Sequence, residues 1–192
     1  MASELSIISG AAVRLGEAPI ISLDEDTKAV QAGVNLYDTI LEATLSWHRW
    51  RFATGKIDLN LLAAEPLNEW NYAYQLPTNP KVVTIIKTHP RLNYERYEDK
   101  IYCNTNAGIA IDYVYRPDES MFPSYFVDMM EVRMASAMAI AVTGSRTLKQ
   151  LMDDDLRGVG GQVGLIAIAM AADARERPNK GIVDSPYVDV RR

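Results

Sequence analysis

The chain has 192 residues, is 48% hydrophobic, and carries 20 Lys+Arg against 25 Asp+Glu, for a formal net charge of −5. That length favours one domain with room for an insertion, and a core that removes about 70% of the unfolded chain's surface from water. The apolar fraction excludes wholesale disorder, and the acidic balance argues against a dedicated nucleic-acid binder.

Residues 1–15 lack a basic start followed by a long apolar run, so they do not read as a signal peptide. They read instead as a helix over 3–15, with Leu5, Ile8, Ala12 and Leu15 on one stripe and Gly16 as its stop. Ser22-Leu23-Asp24-Glu25 has capping-box spacing, so a second helix starts between Asp24 and Thr27. Val30, Val34, Tyr37, Leu41 and Leu45 form its apolar face, and the two helices are expected to pair antiparallel.

After Trp47 the period changes from helical to alternating. Residues 56–61, 72–76, 82–86, 94–97, 100–103 and 109–116 read as short strands. Seven of the ten tyrosines fall between Tyr72 and Tyr115, which suits a pleated, half-buried surface. The connections are too short for helical crossovers, so the strands should pair antiparallel. Helical period returns after Pro117. Pro123 opens a third helix lined by Phe126, Met130, Met134, Met138 and Ala141, with Gly144 as its stop. A fourth helix is expected from Ser145 or Thr147 to Ala174, on the stripe Leu148, Met152, Leu156, Val159, Val163 and Met170. The fold class is therefore α+β: two antiparallel helix pairs in a small bundle, an antiparallel β insertion between them, and an extended C-terminal tail. The boundaries are 1–49 with 117–174 for the helical part, 50–116 for the insertion, and 175–192 for the tail.

Chemistry finds little foothold. The histidines are His48 and His89 and the one cysteine is Cys103, so no zinc spacing exists and no intramolecular disulfide can form, which fits a reducing compartment. Asp24 and Asp26 begin like a calcium loop, but Lys28 takes the next ligand position. Gly158-Val159-Gly160-Gly161-Gln162-Val163-Gly164 fits neither dinucleotide nor Walker spacing. Four glycines inside a helix cost roughly 1 kcal/mol each against alanine, so close helix packing at Gly160 and Gly164 is the expectation, ahead of ligand binding. No nucleophile elbow occurs, and Cys103 reads as a small buried hydrophobe. No catalytic residue, cofactor or metal is assigned, and the chain is read as a non-enzyme. The longest apolar run, 163–172, falls short of the roughly 20 residues of a bilayer span, so a soluble protein is expected.

The tail is rich in Val, Ile and Tyr and needs a surface to lie on, either its own domain or a neighbouring chain. Its candidate interface residues are Ile182, Val183, Pro186, Tyr187, Val188, Val190, Arg191 and Arg192.

Arg14-Leu15-Gly16-Glu17, Ser22-Leu23-Asp24, Trp47-His48-Arg49-Trp50-Arg51-Phe52-Ala53, Leu76-Pro77, Tyr113-Val114-Tyr115-Arg116 and the segment 123–145 follow one another along the chain. In this order they resemble the tail tubular protein A family, the head-to-tail adaptors of short-tailed bacteriophages. The part after Arg175 matches no family motif. The resemblance implies a virion protein: a ring, typically of twelve copies, assembled in the host bacterial cytoplasm between the portal protein and the tail nozzle. Tail fibres or spikes are further partners it suggests. Such a ring encloses the genome ejection channel, through which DNA passes without specific binding. The competing expectation is a tail-associated hydrolase acting on host wall or surface glycan through acids of the β insertion.

Overall fold

The computed structural model describes residues 2–64, 66 and 69–176. Ser3 starts helix α1 (Glu4–Arg14): its hydroxyl accepts the Ser6 amide while the Ser6 hydroxyl accepts the Ser3 amide. The Ser22–Glu25 pair closes a turn, with the Glu25 carboxylate accepting the Ile21 and Ser22 amides at 2.8 Å. Helix α2 (Lys28–Trp47) takes Thr27 as its N-cap. Tyr37, Leu41 and Leu45 are buried as expected, whereas Val34 is exposed and Gly33 takes the buried place beside it. A Cβ on Gly33 would lie 2.3 Å from Ile8 Cγ2, so α1 and α2 cross there in close contact.

Seven strands follow: β1 (Thr54–Asp58), β2 (Asn60–Leu61), β3 (Tyr72–Gln75), β4 (Val82–His89), β5 (Tyr94–Tyr97), β6 (Lys100–Cys103) and β7 (Ala110–Tyr115). Every pairing is antiparallel. The insertion is not one sheet but two, ordered β1-β7-β4 and β2-β3-β6-β5, and the chain alternates between them. Val82, Ile111 and Tyr113 from the first sheet meet Tyr74, Ile101 and Cys103 from the second in a core of their own. Alternation sends Val114 the other way, into the helical core. Helices, three-stranded sheet and four-stranded sheet thus form successive layers. The domain boundary needs correction too: Trp50 and Ala53, assigned to the insertion, are fully buried among the helices.

Helix α3 (Ser124–Thr143) begins after Pro123 and ends at Gly144, whose φ of 68° supplies the left-handed cap. It packs against each of the other four helices, so the body is a cluster around α3 and not two separate pairs. That explains its methionines: Met129, Met130, Met134 and Met138 are all fully buried, on more than one face. Ala141, expected on that stripe, is exposed.

The predicted fourth helix is two helices, α4 (Arg146–Arg157) and α5 (Leu165–Arg175), joined by a loop over 158–164. Gly158, Gly160 and Gly161 have positive φ, which breaks the helix where the pattern suggested continuity. Val159 and Val163, placed on the buried stripe by periodicity, are 58% and 68% exposed. Residues 177–192, including the whole candidate interface of the tail, lie outside the described residues.

Candidate functional site

Two buried carboxylates join the layers. The first, Asp112, sits in the middle of β7, the central strand of its sheet. Register puts Lys56 of β1 and Lys87 of β4 directly opposite it on either side. Arg49, just past α2, and His89, two residues beyond Lys87, complete a ring of basic groups 3.3–3.5 Å from the Asp112 oxygens. Burial alone would raise the Asp112 carboxyl. The close approach of His89 and Lys87 and the charges of Lys56 and Lys87 overrule it and hold the group below its ordinary value. A carboxylate held ionised in this way is a poor general acid at neutral pH. It neutralises the inner sides of cations whose outer sides face solvent, leaving a basic spot on an acidic chain.

The second, Asp173, is 2% exposed near the end of α5. Its Oδ1 accepts the Arg51 amide at 2.8 Å and the Tyr125 hydroxyl at 3.2 Å, and His48 Nε2 lies 3.3 Å from Oδ2. Burial and the Asp173 charge push the Tyr125 hydroxyl upward, so it stays a donor. One side chain thereby ties α5 to the start of α3 and to the segment leaving α2. Indole Nε1 of Trp50 donates to the Thr44 carbonyl at 2.9 Å, and its ring packs edge-on against His48 and Phe126. His48 is a bridge in this network.

Outer ion pairs pin the same body. Arg14 meets Asp128 and Glu131 of α3 at 2.6 and 2.9 Å; Arg116 meets Asp38 of α2 at 2.7 Å and Glu119 at 3.1 Å. On α4, Asp153 accepts from Ser136 of α3 at 2.6 Å and from Lys149. Asp153 thus bridges α4 to α3, and of the Asp153-Asp154-Asp155 run only Asp155 is exposed.

The expected close helix packing at Gly160 is wrong: a Cβ there would meet nothing within 4 Å. At Gly164 the approach is close but belongs to the loop itself. A Cβ would lie 2.3 Å from the Arg157 carbonyl carbon and 2.4 Å from the Leu156 oxygen, where the loop folds back on the end of α4. Gly33, which periodicity treated as an ordinary helix residue, makes the real interhelical contact. Cys103 is fully buried, as expected, with Sγ 3.5 Å from the Thr105 carbonyl. Among the described residues no group of three His, Cys, Asp or Glu side chains is placed to hold a metal, and no helix is long and apolar enough to cross a membrane.

The loop 158–164 carries exposed apolar side chains. Besides Val159 and Val163, Leu151 of α4 and Ile168 of α5 are about half exposed beside it. The chain matches no protein-family model and no curated protein.

Proposed function

We propose that this chain is a structural subunit of a bacteriophage virion: the head-to-tail adaptor, repeated as a ring between portal and tail nozzle and enclosing the path of the ejected genome. The observation that carries the reading is the interrupted layout. Helices α1 and α2 come first, seven strands intervene, and α3 to α5 return to the same helical core, in the order of the motifs that resemble the adaptor family. Apolar side chains held outward on the loop 158–164 and its flanking helices support it. Val159 and Val163 on a backbone turned by glycines give a shaped apolar projection, of the kind a neighbouring subunit covers. A closed ring needs two different complementary faces on each subunit, so the contacts are heterologous. The net charge of −5 suits a passage for DNA, because it does not trap phosphates.

Assembly is coupled to binding. The subunit meets the portal rim, the 182–192 segment adds contact area to portal or neighbour, and the completed ring presents a platform to the nozzle and to fibres or spikes. The test mixes the purified chain with the portal protein encoded by the same genome and counts subunits by native mass spectrometry or electron microscopy. A ring whose copy number follows portal symmetry is expected; a stoichiometry unrelated to it refutes the reading. Deleting 182–192 should weaken recruitment without altering the melting of the body, and unchanged recruitment removes the tail's role.

A further inference from the structure

Helices α2 and α3 leave one shared face open. The Arg133 guanidinium carbon stands 3.4 Å from the centre of the Trp47 ring, although Trp47 is 48% exposed at the end of α2. Nearby, Trp50 packs on Phe126, so residue numbers rise along one helix as they fall along the other and the two run antiparallel. On α3, Ala137, Ile140 and Ala141 share the face of Arg133 at helical spacing, and all three are exposed. On α2, Ala43 and Ile40 stand one and two turns before Trp47 and are half-buried. The result is an apolar strip with a single cation set into it. Arg133 has no carboxylate partner among the described residues, unlike Arg14, Arg49 and Arg116. Burial pushes the guanidinium down to about 10, so it stays charged at neutral pH and lacks a counterion.

This face needs an occupant that is apolar and carries one acid. Tyr187-Val188-Asp189-Val190 has that composition. Its point of departure fits as well. Asp173, two residues before the end of α5, touches His48, the neighbour of Trp47, and so the chain leaves the helical body beside this face. From Glu176 to Asp189 an extended chain reaches roughly 40 Å, far more than needed, and a tethered segment acts at an effective concentration on the order of millimolar.

We infer that the face formed by Trp47, Arg133, Ala137 and Ile140 is the docking site for residues 187–190 of the same chain, with Asp189 as the counterion of Arg133. Docking in this way covers the strip within the isolated chain. The inference stands on charge and position, and does not depend on the virion reading.

The test uses the full chain carrying Trp70→Phe, which leaves Trp47 as the reachable indole because Trp50 is fully buried. Acrylamide quenching reads the accessibility of Trp47. In the otherwise unaltered chain quenching should be weak and independent of protein concentration. It should rise severalfold in Val188→Asp/Val190→Asp, and also rise in Asp189→Lys, which sets two cations together. Equal quenching in all three chains overturns the inference. Protection lost on dilution overturns it too, because the occupant is then a second copy.

Discussion

Asp112→Asn removes one charge while keeping the side chain's size, and leaves Arg49, Lys56, Lys87 and His89 converging on a neutral amide. The size of the effect follows from who is buried. Asp112 is 4% exposed, yet its four partners are between 40% and 64% exposed at the side chain. Each pair therefore resembles a surface ion pair, about 0.2–1 kcal/mol, and not the ~3–5 kcal/mol of a fully buried pair broken on one side. The three charged pairs, with Arg49, Lys56 and Lys87, sum to about 1.5 kcal/mol, or roughly 3–6 °C in Tm for a chain of this size. Urea unfolding of parent and variant at pH 7 measures it, and added salt should shrink the gap. The sign with pH is fixed. Folded Asp112 ionises below its ordinary value, so its contribution is complete above the unfolded pKa of about 3.9. It vanishes as pH falls through the lower folded value, so the variant and parent converge in acid. An Asp112→Asn protein as stable as the parent at pH 7, or a gap that fails to narrow as pH falls below about 3.9, refutes this account.

Three further outcomes follow from the packing. Asp173→Ala strips the acceptor from the Arg51 amide and the Tyr125 hydroxyl, costing about 1–3 kcal/mol, and hydrogen exchange should quicken first in α5. Gly164→Ala forces a methyl onto the main chain at the end of α4 and should cost more than Gly160→Ala, whose only burden is a positive φ worth about 1–2 kcal/mol; matched urea midpoints decide. Gly33→Ala gains about 1 kcal/mol of helix propensity but overpacks the fully buried Ile8 at about 1–3 kcal/mol, so a net loss is expected in thermal melts, and Ile8→Ala, which removes the clashing Cγ2, should cost less in the Gly33→Ala background than in the parent.

Local patterns made much of this protein legible. Strand pattern located β5 and β6 to the residue and β3, β4 and β7 to within a few, but it read 56–61 as one strand where the structure has β1 and β2 in different sheets. The stop at Gly144 was readable from the same local patterns. The failures have a common cause. Periodicity carried the last helix straight through 158–164, since apolar valines at helical spacing outweighed glycines whose positive φ only the folded backbone reveals. It placed Val34 inward and left Gly33 unremarked, because a helix crossing point depends on the partner helix.

The site residues divide along the same line. Asp112, Lys56 and Lys87 lie far apart in sequence and meet through strand register, and Asp173 meets His48, Arg51 and Tyr125 only when α5 closes on α2 and α3. Sequence by itself determined the α+β class, the element order, the antiparallel pairing and the methionine-rich core, all consequences of short-range spacing. Tertiary structure alone decided the two-sheet split, the central place of α3, the break between α4 and α5, and which charges are buried together. Those properties depend on contacts between residues that chain order keeps apart.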